Sequence, residues 1–364
     1  VVAHLRYHAL SEQPNFLGAV QSVVARLQGA YALAIVNREH PESLIVVRAG
    51  CPLLIGLGIG ENFIASDHLA LLPVAQRFIY LDEGDIAEVT RSKVKIYSAQ
   101  GQEVTRKIHK VEFSHDGSDR GQYRHYMQKE IFEQPEAVAG TLEGRIAERR
   151  IPDEIFGVEA ANVFSQVKAV QIAACGTSYH AGLVARYWLE ALTGLPCLVE
   201  TASELRYRSN VVLPGTLFVT LSQSGETADT LAAQRAAKES GYLATLSICN
   251  VPESSLVRSA DLSLMMHAGP EIGVASTKAF TSQLVCLLML TVILGRHQQK
   301  ITAADEAELI QQLRHLPKGL EEALELDSEI QALAELFGDK QHALFIGRGP
   351  LYPLALEGAL KLKE

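Results

Sequence analysis

Hydrophobic and polar positions change their spacing along the chain, and the first part predicts a sheet-rich domain. Near the start, Phe16, Val20, Val23, Val24 and Leu27 recur at helical spacing. Short apolar runs separated by turn residues follow, which predicts antiparallel strands joined by tight connections. We place these strands at Ala30–Val36, Leu44–Arg48, Phe63–Ala65, Phe78–Leu81, Asp85–Val89 and Val94–Tyr97. Residues 1–112 are therefore expected to form one β-rich domain.

The next segment has the composition of a connection between domains. Residues 115–121 are polar and rich in glycine, which predicts a linker. Mixed charges at helical spacing follow from Tyr123 to Gly140, and a second polar stretch lies at 149–152. We assign residues 113–150 to a linker and a connecting helix.

From about Val167, short buried strands alternate with long helices, which predicts a parallel sheet covered on both faces. The strands are predicted at Ala169–Ala174, Cys197–Glu200, Leu217–Leu221, Ala244–Cys249 and Leu262–Met266, and the helices at His180–Leu192, Asp229–Ser240 and Ser276–Leu294. Residues 151–300 are therefore expected to form an α/β domain.

The last segment, residues 301–364, predicts connecting helices and the start of a second α/β copy. An amphipathic pair spans Ala303–Phe337 with a break near Pro317. A fresh strand at His342–Gly347, a glycine-rich turn and a helix then repeat the opening of the first copy. Because the chain begins with Val1 and its end has the pattern of a helix interior, we expect a fragment cut at both ends.

Composition and charge exclude several classes of protein. Hydrophobic residues make up 48% and charged residues 21%, as in an ordinary globular protein. The net charge of −9 does not suit a general nucleic-acid binder. The longest apolar run, Leu284–Leu294, is shorter than the about 20 residues that span a bilayer, so it predicts a buried helix. The five cysteines lack metal-ligand or redox spacing, which favours a reducing cytoplasm.

Two predicted strands end in small polar clusters that open helices, at 175–178 and 222–227. Helix N-termini at the carboxyl edge of a parallel sheet suit an anion, and Gly176 and Gly225 permit a close approach. The hydroxyls that can donate are those of Thr177, Ser178, Ser222, Ser224 and Thr227. The alternative is that these residues only cap helices.

Two further segments leave their roles open. The loop at 271–278 could close the site, or Ser276 or Thr277 could be only an N-cap with Lys278 in solvent. The glycine run at 56–60 lacks the last glycine of a dinucleotide motif, so it predicts a turn.

Several long motifs carry a resemblance to a known family. The segments 175–178, 222–227, 271–280 and 355–364 resemble the sugar-isomerase (SIS) region of the glutamine–fructose-6-phosphate aminotransferase family. Residues 123–131 resemble the segment after that family's interdomain linker, and residues 60–67 resemble the later part of its glutaminase domain. The resemblance implies an α/β fold of SIS-type parallel-sheet sandwich domain, its second copy truncated, after the C-terminal part of a β-rich Ntn-hydrolase-like glutaminase domain.

The resemblance also implies an activity. A glutaminase releases ammonia, and a double SIS domain uses it to convert fructose 6-phosphate to glucosamine 6-phosphate, the first committed step of hexosamine synthesis. It implies glutamine as a substrate of the full-length protein and a cytoplasmic homodimer. It implies no redox cofactor, no metal, and neither nucleic acid nor membrane as a partner.

Residue roles follow from the resemblance by position. The phosphate would be held by Ser178, Ser222, Gln223, Ser224 and Thr227, and the sugar would be bordered by Cys175, Gly176, Thr177, Val274 and Ser276. Glu364 would be the general base and Lys361 its helper. From the residues alone the base is not decided, because Glu357 lies seven positions earlier on the same helical face.

Departures from the family limit what we expect of this polypeptide. The family's glutaminase nucleophile is an N-terminal cysteine, and this polypeptide begins with Val1. We therefore expect no glutamine hydrolysis by it. The chain also stops before the family's ring-opening histidine and imine-forming lysine, which leaves the activity of the fragment uncertain. The alternative function is a non-catalytic SIS protein that binds or senses a sugar phosphate, with the N-terminal sheet as an interaction module.

Overall fold

The computed structural model describes residues 3–5, 7, 9, 15–110 and 120–364. The chain divides into two compact units, Val1–Ser114 and His115–Glu364. The boundary predicted at residue 112 lies close to this division. Residues 115–119 of the predicted linker lie outside the described part of the chain.

The first unit contains an α-helix and two antiparallel sheets. Its elements are α1 (Phe16–Val24), β1 (Tyr31–Asn37), β2 (His40–Ala49), β3 (Leu54–Leu57), β4 (Asn62–Ala65), β5 (Arg77–Tyr80), β6 (Ile86–Val89), β7 (Val94–Tyr97), β8 (Glu103–Val104) and β9 (Ile108–Lys110). The strand orders are β1-β2-β6-β7-β8 and β4-β3-β5-β9. Phe16 and Val20 of α1 pack on Ile45 and Val47 of β2, so the helix covers one sheet with its apolar face.

We expected the glycine run at 56–60 to form a turn, but in the structure it forms part of a strand followed by a turn. Gly56 lies inside strand β3, paired with Phe63 of β4 and Phe78 of β5. A Cβ atom on Gly56 would stand 3.0 Å from Leu71 Cδ1, so the missing side chain permits close packing. The turn begins after the strand, and Gly60 has a φ of +72° there.

The second unit is built on a parallel sheet flanked by helices. Its elements are α2 (Tyr126–Phe132), α3 (Gln134–Leu142), α4 (Ala160–Phe164), β10 (Ala169–Ala174), α5 (Gly176–Thr193), β11 (Cys197–Thr201), α6 (Ala202–Leu205), β12 (Thr216–Ser222), α7 (Ala228–Glu239), β13 (Ala244–Cys249), α8 (Ser255–Ser259), β14 (Leu262–Met265), α9 (Lys278–His297), α10 (Ala303–Leu324), α11 (Asp327–Glu335) and α12 (Leu351–Lys363). The strand order is β11-β10-β12-β13-β14, with every pair parallel.

The buried strands in the core of this unit account for the uninterrupted apolar runs in the sequence. Every residue of β10, β12 and β13 is buried, as expected for strands covered on both faces. Helix α9 has the length and composition to cross a bilayer, but 78% of its most apolar window is buried inside the protein. It packs against α3 and α5 as a core helix, in agreement with the sequence analysis.

The break expected near Pro317 is absent, because α10 continues through the proline to Leu324. Proline removes one backbone N–H, which weakens a helix locally. Leu313 and Leu320, on either side of Pro317, both pack against the core and hold the two halves in one helix. The break falls instead after Leu324, before α11 begins at Asp327.

The strand expected at His342–Gly347 is also absent from the structure. Leu344 and Ile346 are 83% and 85% exposed. A strand needs a neighbour that pairs its backbone groups, and no strand of residues 120–364 runs beside this segment. The helix expected after it does form, as α12.

Candidate functional site

A polar pocket lies at the carboxyl ends of β10 and β12, which are neighbours in the parallel sheet. Its volume is about 270 Å³. The lining residues are Cys175, Gly176, Thr177, Ser178, Leu221, Ser222, Gln223, Ser224, Thr227, Glu271, Gly273, Val274, Ser276, Leu360 and Glu364. The structure thus brings all ten predicted substrate-binding residues together with Glu364.

Ser178 is positioned by a residue that sequence reasoning missed. The Nε2 atom of Gln283 donates a hydrogen bond to Ser178 Oγ at 2.9 Å. Because Ser178 Oγ accepts this bond, its own proton is free to donate into the pocket. Gln283 is fully buried, and its Oε1 atom has no hydrogen-bond partner within the described residues. The signal that could have found it is a glutamine inside the apolar pattern of α9.

The sequence analysis counted Thr177 among five hydroxyls that can donate to a ligand. In the structure, its hydroxyl is already hydrogen-bonded within the protein. Thr177 Oγ1 donates to Glu357 Oε1 at 2.9 Å and accepts from Lys361 Nζ at 3.2 Å. A threonine hydroxyl has only one proton, so this one is not available to a ligand. Thr177 therefore borders the pocket and connects α5 to α12.

The loop after β12 curls so that its hydroxyls face the pocket. Ser222 Oγ accepts from the Gly225 N–H at 2.9 Å and lies 3.2 Å from Thr227 Oγ1. Ser224 Oγ accepts from the Glu226 N–H at 3.2 Å. Thr227 is the N-cap residue of α7 but makes no side-chain capping bond, so capping alone does not explain its hydroxyl.

Gly225 is required for this curl. Its φ is +68°, a left-handed conformation that favours glycine, and a Cβ atom there would stand 2.1 Å from Ser254 Oγ. The loop thus approaches α8 too closely for any side chain at this position.

The loop at 271–278 closes one side of the pocket through Gly273, Val274 and Ser276. Its end is capped by Glu271: Oε1 accepts from the N–H groups of Thr277 and Ala279 at 2.7 and 3.1 Å, and Oε2 accepts from Ser276 Oγ at 2.9 Å. Thr277 is the N-cap residue of α9, but its side chain makes no capping bond.

The alternative that placed Lys278 in solvent is wrong. Lys278 is only 4% exposed, and its Nζ atom donates to Glu133 Oε2 at 2.6 Å. A lysine becomes this buried only when its charge is paired, which the sequence pattern alone did not show.

Helix α12 brings a buried carboxylate against α5. Glu357 is 6% exposed; Oε1 accepts from Thr177 and lies 3.4 Å from Lys361 Nζ, and Oε2 lies 2.7 Å from His180 Nδ1. Burial alone would raise the pKa of Glu357. The hydrogen bonds from His180 and Thr177 and the charge of Lys361 outweigh that effect, so its pKa lies below the ordinary value.

Lys361 stands behind the pocket wall and connects the two carboxylates of α12. Its Nζ atom donates to Ser276 O at 2.9 Å and to Glu364 Oε2 at 3.3 Å. Of the two carboxylates that the sequence left open, Glu357 is enclosed by protein groups whereas Glu364 lines the pocket. The geometry therefore favours Glu364 as the group that can reach a ligand.

Two features of the pocket favour an anion: polar hydrogen-bond donors line it, and helices begin at its edge. Within the described lining there is no lysine or arginine, and Lys361 contributes its charge from one layer behind. Helices α5 and α7 begin at this edge, where unpaired N–H groups and the positive ends of helix dipoles favour negative charge, whereas the start of α9 is already capped by Glu271. Such a site suits a phosphate ester attached to a polar ligand.

Comparisons with known proteins identify relatives of this chain. A family model described as the SIS domain matches residues 163–293. The chain is 56% identical over all 364 residues to the glutamine–fructose-6-phosphate aminotransferases (isomerizing) of Pseudomonas putida and Vibrio cholerae. It spans 60% of the length of these two relatives.

A solved structure gives the same result. The C-terminal domain of the glucosamine–fructose-6-phosphate aminotransferase from Francisella tularensis is 49% identical, with a TM-score of 0.66. The match covers 68% of this chain and 69% of that one.

The parallel sheet and the matching family model thus define residues 163–293 as an SIS domain. The motifs over the rest of the chain narrow this class further. The chain belongs to the glutamine–fructose-6-phosphate aminotransferase family.

Proposed function

We propose that this chain binds fructose 6-phosphate and contributes to its conversion, with glutamine, to glucosamine 6-phosphate and glutamate. The observation that carries the proposal is the pocket at the ends of β10 and β12, where free hydroxyl donors face Glu364. The names of the relatives over the full length of the chain support it.

The phosphate would bind between the two hydroxyl-bearing loops. Ser178 has a proton free for an oxygen of the phosphate, and Ser222, Ser224 and Thr227 line the same pocket. The backbone N–H groups at the starts of α5 and α7 would add donors without a formal charge. Gln223 has a buried Nε2 atom without a partner in the described residues, and a bound ligand would supply one.

The isomerisation needs a base that moves a proton between neighbouring sugar carbons. Glu364 would take the proton from one carbon and return it to the other, because its carboxylate borders the pocket. Lys361, 3.3 Å from Glu364 Oε2, would hold that carboxylate in place. Cys175, Gly176, Thr177, Val274 and Ser276 would border the sugar itself.

Glutamine would serve as the ammonia source in proteins of the full family length, and the first unit would correspond to part of their glutaminase domain. Its two antiparallel sheets support that assignment. We further propose that the protein is a homodimer. We also propose a cytoplasmic location, because the five free cysteines suit a reducing compartment. Size-exclusion chromatography with light scattering tests the dimer.

Titration calorimetry of the chain with fructose 6-phosphate tests the binding step. We expect saturable binding, no binding of fructose, and a loss of about tenfold or more in affinity for Ser222→Ala combined with Ser224→Ala. Ser240→Ala is the matched control, because Ser240 is an exposed serine that only bonds Ala236 O on α7. Equal affinity in the double variant and the control would refute the assignment.

Exchange of the C1 proton of the sugar with solvent tests the base, measured by NMR in a chain extended to the length of the relatives. We expect exchange in the parent protein and its loss in Glu364→Gln, with sugar binding retained. Exchange that persists in Glu364→Gln would contradict the role of Glu364. Binding without any exchange in the parent would favour the non-catalytic, sensing alternative.

A further inference from the structure

The wall of the pocket formed by residues 271–277 is held from behind by one buried carboxylate. Glu130, on helix α2, is 2% exposed. Its Oε1 atom accepts hydrogen bonds from the N–H groups of Ile272 and Gly273, at 2.6 and 2.8 Å. Its Oε2 atom lies 3.5 Å from Thr277 Oγ1, at the other end of the same loop. One side chain thus contacts both ends of the wall.

We propose that Glu130 is a positioning residue for the sugar-phosphate site, which fixes the loop 271–277 in the shape that closes the pocket. This inference rests on the proposed function, because it assumes that the pocket is the sugar-phosphate site. Glu130 lies outside the pocket and about 140 positions before the loop in sequence. The proposal adds it to the groups that determine the affinity for the sugar phosphate.

The loop has little other support on this side. Ile272 is 44% exposed and Val274 is fully exposed, so apolar packing does not hold the middle of the wall. Lys361 bonds the Ser276 carbonyl and Glu271 bonds the end of the loop, but neither reaches Ile272 or Gly273. The two bonds to Glu130 Oε1 therefore carry the placement of this part of the backbone.

The bonds also determine where an anion can bind. Two consecutive N–H groups form a small concave donor site that attracts anions. Because Glu130 already accepts from both Ile272 and Gly273, this pair is not open to a phosphate. The phosphate is thereby directed to the hydroxyl-bearing loops after β10 and β12, and the wall borders the sugar.

Gly273 fits this arrangement and no larger residue does. A Cβ atom on Gly273 would stand 2.5 Å from Glu130 Oε2 and 3.4 Å from Met127 N. Alanine at 273 would therefore force the carboxylate away from the loop. Glu130 and Gly273 are expected to act as a coupled pair.

Two measurements on the full 364-residue chain test the inference, using Glu130→Ala, Glu130→Gln and the control Glu136→Ala, an exposed carboxylate on α3. The first is amide hydrogen exchange without ligand, read on peptides that cover residues 271–277. The second is affinity for fructose 6-phosphate by calorimetry. We expect Glu130→Ala to accelerate exchange at the loop and to weaken binding about tenfold, which equals about 1.4 kcal/mol.

Glu130→Gln should resemble the parent in both measurements, because the amide oxygen can still accept from both N–H groups. Rescue by this variant separates a hydrogen-bond role from a general packing role. In the extended chain, Glu130→Ala should raise KM for fructose 6-phosphate more than it lowers kcat, because Glu130 does not touch the reacting atoms.

Gly273→Ala is the second variant, should Glu130→Ala fold poorly. It should weaken binding to a similar degree in the parent, because its Cβ would force the carboxylate of Glu130 away from the loop. The two changes Gly273→Ala and Glu130→Ala should be clearly non-additive in binding free energy. Fully additive effects would overturn the inference.

Two other results would overturn it. Unchanged loop exchange in Glu130→Ala would show that the carboxylate does not hold the loop, and faster exchange with unchanged affinity would show that the held shape does not matter for binding. Failure of the proposed function is distinguishable, because then the parent chain itself would not bind fructose 6-phosphate, whereas the exchange measurement would still decide whether Glu130 fixes the loop.

Discussion

The buried carboxylate of Glu357 should decide whether helix α12 stays docked on α5. Glu357 accepts from Thr177, lies 2.7 Å from His180 Nδ1 and pairs with Lys361, so it joins three side chains at once. The perturbations are Glu357→Gln, which keeps the shape and loses the charge, and Glu357→Ala, which removes every bond.

The expected magnitudes differ for the two substitutions. Removing one member of a buried charged pair typically costs about 3–5 kcal/mol, and this range applies to Glu357→Ala. In Glu357→Gln the amide oxygen still accepts from Thr177, but the amide nitrogen cannot accept from His180 and the charge that faces Lys361 is lost, so we expect about 1–2 kcal/mol. These costs apply to the docking of α12, not to the whole chain.

Amide hydrogen exchange over residues 351–364 measures this docking directly. Exchange should accelerate strongly in Glu357→Ala and moderately in Glu357→Gln, with β10 to β14 unchanged. Glu329→Gln, an exposed carboxylate on α11, is the control. If α12 exchanged equally in all four proteins, the buried network would not be what holds it.

The pH dependence of the same exchange gives a second check with a defined sign. The pKa of Glu357 is lower in the folded protein than its ordinary value of 4.5. The stabilisation is therefore fully present above about pH 4.5 and is lost as the pH falls through the lowered pKa. Glu357→Gln should remove this part of the acid sensitivity of α12, and a variant with the same acid profile as the parent would contradict the assignment.

Three further predictions concern buried groups. Gln283→Leu should weaken fructose 6-phosphate binding about three- to tenfold in calorimetry, because Ser178 loses the bond that directs its proton, while thermal stability changes by less than about 1 kcal/mol. Gly225→Ala should destabilise the second unit by about 2–4 kcal/mol in urea, because its Cβ would collide with Ser254 Oγ. Thr230→Val should leave binding unchanged and keep or raise stability, because Thr230 Oγ1 is buried without a partner in the described residues; a loss above about 1 kcal/mol would count against this reasoning.

The strands of the SIS domain could be predicted because both of their faces are buried. Ala169–Ala174 and Ala244–Cys249 were predicted with the observed bounds, since uninterrupted apolar runs between polar turns leave few other readings. The predicted residues 175–178 and 222–227 then had to meet, because the ends of neighbouring parallel strands share one edge.

Features that depend on partners distant in sequence could not be predicted in this way. Gly56 entered a strand because β4 and β5 pair with it on both sides. His342–Gly347 had the apolar pattern of a strand, yet pairing and not pattern decides whether a strand forms. Glu130 carries no local signal, since it acts on a loop more than one hundred residues away. Gln283 shows only as a glutamine inside the apolar pattern of α9, because its partner Ser178 is also more than one hundred residues away.

The most direct test of the account is a crystal structure of this chain with fructose 6-phosphate. The account predicts the phosphate within hydrogen-bond distance of Ser178, Ser222, Ser224 and Thr227, with the sugar between Glu364 and the loop at 271–277. A phosphate bound elsewhere, or held by a lysine or arginine side chain in place of these hydroxyls, would contradict it.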